Sequence, residues 1–260
     1  WVFHSAAFAK LCARKLSDFY DINVEGTRYL LDASVHHGIR KFCFTSTCGV
    51  IGTCVKDPLS EDDPRTIAFD NNYNLSKFLA EKLVAEYAKN GLFAVTVSLS
   101  KVFGPNIENR PVSVNKLIKD FISGKITFAP SPGHLLSNYV YIDDCVRGHV
   151  QAIEKGRSGE KYILGGENLS FKEFFDTISK VSGKKGKLFY APETIATIYG
   201  LIHYLQAKIK NQDPHFTGND VGHIYCNKSF TCAKAEKELG YTITPFPEAV
   251  ERTIQFLMKQ

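Results

Sequence analysis

Phe42-Cys-Phe-Thr-Ser-Thr47-Cys-Gly-Val-Ile-Gly52 and, further along, Tyr73-Asn-Leu-Ser-Lys77 are the stretches that decide how this chain is built. The first has the apolar weight of a buried parallel strand and ends in hydroxyls followed by glycine. The second lies in a run of helical pattern over 72–89, whose packing stripe is Leu75, Phe78, Leu79, Ala80, Leu83 and Val84. Positions i and i+4 of a helix are neighbours, so Tyr73 and Lys77 share a face. A lysine cation beside a phenol favours the phenolate and draws its pKa from about 10 toward working pH, where a general acid/base is most effective. The same spacing also arises by chance as a solvated surface pair; the hydroxyl-tipped strand upstream argues for chemistry.

Outward from these stretches, strands and helices alternate. Val2-Phe3 closes a strand, a loop over 5–17 leads into a helix over 18–37, and Gly38 ends it. Strands over 41–46 and 93–98 flank the helix over 72–89, which closes at Asn90-Gly91. This β-α-β-α-β order predicts an α/β fold with a Rossmann-like, doubly wound parallel sheet and right-handed crossovers. Beyond Gly104-Pro105 the texture changes to helices over 114–123, 143–154, 170–182 and 192–210, broken by Tyr139-Val-Tyr-Ile142 and Lys161-Tyr-Ile-Leu164. The expected division is a sheet domain over 1–105 and a smaller mixed lobe over 106–260, partly woven back into the sheet.

A chain of 260 residues buries roughly 70–75% of its unfolded surface and needs no staples. The net charge of +5 is interleaved with 27 acidic residues and forms no basic block, which argues against nucleic acid as a partner. Seven cysteines without a C-x-x-C pair read as reduced intracellular thiols, and the expected location is cytoplasmic. The eight histidines form no metal constellation. The most apolar segment, 195–205, is well under the roughly 20 residues that span a bilayer and reads as a lobe helix. The chain opens on Trp1-Val-Phe-His without methionine, so it is expected to begin inside a strand.

In this order the motifs resemble the extended short-chain dehydrogenase/reductase superfamily, the NAD-dependent epimerase/dehydratase fold. Within it the similarity is to the dihydroflavonol-4-reductase-like and 3β-hydroxysteroid-dehydrogenase-like branch. Its marks are Val2-Phe-His-Ser-Ala-Ala7, Asn23-Val-Glu-Gly-Thr27, Phe44-Thr-Ser-Thr47 with Gly52, Tyr73-x-x-x-Lys77, Val102-Phe-Gly-Pro105, Tyr139-Val-Tyr-Ile-Asp-Asp144 and Tyr162-Ile-Leu-Gly-Gly166, closing with Lys234-Ala-Glu-Lys-Glu-Leu-Gly-Tyr241.

The resemblance implies NAD or NADP as cofactor, a small-molecule substrate, a homodimer built on the helices from Asp18 and Asn72, and a set of roles. Tyr73 is the acid/base, against the plain reading of a packed helix tyrosine. Lys77 holds the nicotinamide ribose and lowers the tyrosine pKa, against a solvated lysine. Thr47 donates to the substrate oxygen as charge develops, against a hydroxyl capping the strand end. Thr45 and Ser46 stand against the cofactor, with alternation across the strand deciding which hydroxyl faces where. Asn23 lines the cofactor site or is an amide bonded inside its helix. Ala6 and Ala7 let the backbone approach the dinucleotide, while His4 reads as a satisfied core histidine. Leu99 and Val102 hold the nicotinamide through main chain, although the family commonly has proline where Leu99 stands and arginine or another residue where Lys101 stands. Asp143 and Asp144 open a helix, and capping is their expected role.

Two departures matter. The glycine fingerprint that places a pyrophosphate on a helix N-terminus is nowhere in the sequence, so by the resemblance roughly 60 residues, two βα units, are expected to be missing. The phosphate-gripping arginine of nucleotide-sugar epimerases falls where Ser137-Asn138-Tyr139 stands. That loss of charge favours a ketone, hydroxysteroid-like or flavonoid-like alcohol, with Phe8 and Phe103 as pocket candidates; Lys10, Arg14 and Lys15 keep a sugar nucleotide open. The expected function is NAD(P)-dependent hydride transfer to a carbonyl or from a secondary alcohol. The alternatives are a nucleotide-sugar epimerase or dehydratase on bound NAD, and a non-catalytic dinucleotide-sensing or truncated inactive protein.

Overall fold

The computed structural model of the chain describes residues 1–10, 12–13, 15–54, 57–69, 71–106, 113–210 and 221–259. Arg14, one of the basic loop residues named above, lies outside them.

Four short apolar runs make one parallel sheet in the order β1 (Val2–His4), β2 (Phe42–Thr47), β3 (Ala94–Leu99) and β7 (Lys161–Leu164). Strands β2, β3 and β7 are almost wholly buried because helices cover both faces, as parallel strands require, whereas Phe3 of β1 is exposed. On one face lies α3 (Asn72–Lys89), whose Ala80 and Val84 pack with Phe42, Phe44 and Ala94. On the other lie α5 (Ile142–Lys155) and α9 (Ala233–Leu239), whose Ala152, Ile153 and Leu239 pack with Cys43, Val95 and Val97.

The helix expected over 18–37 is three segments in series: α1 (Ser17–Tyr20), a π turn (Asp21–Glu25) and α2 (Gly26–His36). Gly38 follows at φ 60°, a left-handed residue just past the end. Asn71 starts α3 by accepting from the Asn74 amide at 2.8 Å.

The remaining strands are β4 (Lys101–Phe103), β5 (Ile126–Pro130), β6 (Leu136–Tyr141), β8 (Glu167–Ser170) and β9 (Lys187–Ala191). They form a β4-β6-β8 sheet and a separate β5-β9 ribbon. With α4 (Ser113–Ile122), α6 (Phe171–Ser182) and α10 (Phe246–Leu257) they enclose an aromatic core around Tyr139, Phe174, Phe175 and Phe246. Ser170 and Glu173 form a capping box at the start of α6. The helix α7 (Glu193–Ile209) leaves most of its apolar side chains exposed, and α8 (Val221–Ile224) completes the lobe. Among the described residues no helix is long and apolar enough to cross a membrane.

Asp143 and Asp144 do not cap α5 as expected. The N-cap is Tyr141, without a side-chain cap, and both acids fall in the first turn, where their charge suits the helix dipole. Asp144 is fully buried and binds across the fold, accepting from the Thr244 amide at 2.8 Å and its hydroxyl at 2.7 Å while pairing with Arg147. Its charge is therefore spent on docking the chain that leads into α10.

Candidate active site

Parallel strands put their C-terminal ends at one edge of a sheet, and that edge gathers the singled-out residues. Thr47 ends β2 directly beside Leu99, the end of β3. The loop that carries Ala6 and Ala7 leaves the same end of β1, and Ala6 is exposed. Thr47 Oγ1 accepts from the Gly49 amide at 3.1 Å, which uses a lone pair and leaves its proton to donate elsewhere. The turn that follows presses Gly49 onto α3 so closely that a Cβ there would meet Asn74 Oδ1 at 2.3 Å. Asn74 is the neighbour of Tyr73, so this contact fixes the acid/base candidate against the strand end.

Tyr73 and Lys77 lie one turn apart on α3. Among the described residues neither the phenol nor the ammonium has a hydrogen-bond partner. Lys77 is only 2% exposed; its Nζ lies 3.9 Å from the centroid of the Phe44 ring. Burial lowers its pKa to about 8, opposed by the charge of Glu81 one turn on. The Tyr73 phenol is pushed up by burial rather than drawn down. The expected lysine effect is absent because the cation is turned to Phe44, and desolvation is left to dominate.

The neighbouring hydroxyls of β2 are engaged inside the protein. Thr45 points to α5, its Oγ1 2.9 Å from His149 Nε2, and Ser46 points to α3, donating to Glu81 at 2.5 Å. The two strand faces thus separate Thr45 from Ser46. Asn23 is buried as well: its Oδ1 accepts from the Phe8 amide at 2.7 Å, and its Nδ2 donates to Ser76 Oγ at 2.9 Å. Ser76 in turn donates to the Tyr73 carbonyl at 2.9 Å. Asn23 therefore braces the Ala6-Ala7-Phe8 loop against the helix that carries Tyr73. His4 is the satisfied core residue expected, 2.9 Å from Thr27 Oγ1, with its pKa lowered to about 4 by burial and then by the charge of Lys77.

Val102 stands apart from Leu99, in β4 opposite Val140. Phe103 is core, edge-on to Tyr141 at 6.0 Å, and Phe8 packs edge-on against Phe19 at 5.0 Å. An apolar cavity of 320 Å³ lies elsewhere, lined by Phe128, Pro130, Ala191, Ile195 and Tyr199. No group of acidic, cysteine and histidine side chains among the described residues is placed to hold a metal ion.

Sequence reasoning missed two supports. Glu81, which binds Ser46 and pairs with Lys161 at 2.6 Å, extends the Tyr73–Lys77 stripe by one more step of four and was legible in that period. Arg65, which donates from Nη1 to the Gly49 and Val50 carbonyls at 2.7 and 3.1 Å, had no signal in the sequence.

The chain is 26% identical over 253 residues to 3beta-hydroxysteroid-dehydrogenase/decarboxylase isoform 1 of Arabidopsis thaliana, covering 90% of this chain and 57% of that protein. It is 26% identical over 252 residues to the mouse (Mus musculus) sterol-4-alpha-carboxylate 3-dehydrogenase, decarboxylating, covering 91% and 68%. The chain thus spans little more than half the length of the Arabidopsis relative. In fold it is similar to the UDP-glucose 4-epimerase of Thermotoga maritima crystallised with UDP-glucose, with a TM-score of 0.80 at 23% identity over 99% of this chain and 77% of that one. The profile of the NAD dependent epimerase/dehydratase family matches residues 1–165, and the chain belongs to that family.

Proposed function

We propose that this protein is an NAD(P)-dependent oxidoreductase that interconverts a secondary alcohol and a carbonyl, with Tyr73, Lys77 and Thr47 as its catalytic group. The observation that carries this reading is that, among the described residues, Tyr73 and Lys77 make no hydrogen bond and Thr47 keeps its proton to donate, while neighbouring Asn23 and Ser46 are engaged inside the protein. Tyr73 takes the proton from the alcohol oxygen, or returns it in the reverse direction. Thr47 donates to that oxygen as charge develops. Lys77 fits the cofactor because a buried ammonium with no acceptor among the described residues is completed by ribose hydroxyls. Ala6 and Ala7 fit it because side chains that stop at Cβ leave their backbone approachable. The bound nicotinamide supplies the hydride acceptor or donor. Leu99 and Val102 are assigned to its surroundings, and Asn23 to positioning through Ser76 and Phe8.

The same reading divides the protein into a cofactor domain over 1–105 and a substrate lobe over 106–260, with β7 returned to the first sheet. The likeness to the steroid and sterol dehydrogenases favours a hydroxysteroid-like alcohol. Exposed Ile22, Tyr29 and Val35 on the helices after Ser17 support a homodimer through that face, and seven free cysteines support a reducing, cytoplasmic setting.

The test is Tyr73→Phe assayed for NADH formation on a panel of hydroxysteroids. Turnover is expected to fall by roughly 10² or more while NAD binding is kept. Undiminished turnover would overturn the assignment, and turnover of a nucleotide sugar without added NAD would replace it with an epimerase.

A further inference from the structure

The chain leaves Thr47 through a single turn of 3-10 helix, Cys48–Val50. The Cys48 carbonyl accepts from the Ile51 and Gly52 amides at 3.0 and 3.4 Å. In a helix this short the carbonyls of the last residues have no partner within it, and they form its negative end. Arg65 meets both of them, donating from Nη1 to the Gly49 carbonyl at 2.7 Å and to the Val50 carbonyl at 3.1 Å.

The rest of the guanidinium is engaged by its own loop. Nε donates to the Ile67 carbonyl at 2.9 Å and Nη2 to the Ala68 carbonyl at 3.0 Å. The charge lies over the Phe69 ring at 4.1 Å, and that ring packs on Phe78 of α3 at 5.1 Å. Thr66, Ile67 and Ala68 are exposed, whereas Arg65 and Phe69 are half-buried. The two anchors of this strap therefore grip different parts of the candidate site, the turn after Thr47 and the helix that carries Tyr73 and Lys77. Only a planar fork of fixed donors can reach carbonyls on two segments at once; an ammonium is a point charge and cannot.

This grip bears on Thr47. The Gly49 amide donates to Thr47 Oγ1 at 3.1 Å, so the lone pair in use, and with it the direction left to the hydroxyl proton, depends on how the turn is set. Arg65 holds that turn by its far carbonyls while Asn74 blocks any shift of Gly49 toward α3.

We propose that Arg65 is a positioning residue: by clamping the turn it sets the direction in which the Thr47 hydroxyl donates to the substrate oxygen. It acts through Thr47. This role rests on the oxidoreductase reading above; the clamp itself does not.

The experiment compares the whole wild-type protein with Arg65→Ala, Thr47→Ala and the double variant. Amide hydrogen exchange followed by NMR reads the clamp without substrate. In Arg65→Ala the Gly49 amide is expected to exchange roughly tenfold or more faster while the amides of β3 keep their rates. On the hydroxysteroid panel kcat is expected to fall roughly tenfold or more in Arg65→Ala with KM for NAD unchanged. In the Thr47→Ala background the same change should cost nothing further in kcat, although its cost in urea melts persists in both backgrounds. Where Arg65→Ala does not fold, Arg65→Lys, which keeps the charge and loses the fork, is read in the same way. An unchanged Gly49 exchange rate, or an equal loss of kcat with and without the Thr47 hydroxyl, overturns the proposal. The two readings fail separately: undiminished turnover in Tyr73→Phe sinks the oxidoreductase while the exchange still reports the clamp, and full activity in Arg65→Ala of an enzyme that needs Tyr73 and Thr47 sinks only the role of Arg65.

Discussion

The carboxylate of Glu81 lies 2.6 Å from the ammonium of Lys161, across the end of the sheet, and leaves Lys77 on the same helix to the ring of Phe44. Glu81 still acts on Lys77 at longer range, since its charge is what opposes the burial that lowers the Lys77 pKa to about 8.

Neutralising Glu81 is therefore expected to move the alkaline limit of activity. Lys77 is charged below about 8 and loses its proton above it, so turnover that needs the cation falls as pH rises through that value. In Glu81→Gln the opposing charge is gone, Lys77 deprotonates at lower pH, and the alkaline limb of kcat against pH shifts to the acid side. An unmoved limb would separate Lys77 from the titrating group.

A second pH effect concerns stability. His4 titrates at about 4 in the folded chain against 6.5 when unperturbed, so between these values the unfolded chain binds the extra proton. Stability accordingly falls as pH drops from 6.5 toward 4. Replacing His4 with Gln keeps a polar partner for Thr27 and is expected to flatten this limb in urea melts at successive pH values. A slope equal to the wild type's would assign the limb to other groups.

Gly49→Ala is expected to destabilise by about 1–3 kcal/mol, because its Cβ would fall 2.3 Å from Asn74 Oδ1. Turnover should drop with it, since Asn74 adjoins Tyr73. Shortening the obstacle with Asn74→Ala should recover part of both losses in the double variant. Additive losses measured by thermal melting would show that the two residues are not in contact.

Much of this architecture is legible before any coordinates. Strand β7 and helix α3 have the bounds that their apolar patterns imply, because a buried strand and a capped helix each leave a local signature. The ribbon of β5 and β9 was not legible: its partners are far apart in sequence, and Ile126, Phe128 and Phe189 are exposed, which breaks the rule that apolar means buried. Asp144 misled for a related reason, since an acid at the start of a helix has the composition of a cap whether it bonds locally or, as here, to Thr244. At the site, Tyr73 was singled out by its spacing from Lys77, and Thr47 by the resemblance and the hydroxyls that end its strand. The direction of the Lys77 charge, the engagement of Thr45 and Ser46, and the approach of Arg65 to Gly49 depend on tertiary neighbours that no local window contains.

The π turn at Asp21–Glu25 lies among buried residues Phe19, Asn23, Thr27 and Leu31, spaced by fours. An ordinary helix advances such a row by about 40° too far at every step, which would swing Leu31 off the sheet if Asn23 were aimed at Phe8. Widening a single turn absorbs that excess. One rod thereby keeps two aims at once, a polar one toward the loop and helix of the candidate site and an apolar one toward the sheet, and restoring the regular winding would sacrifice one to the other.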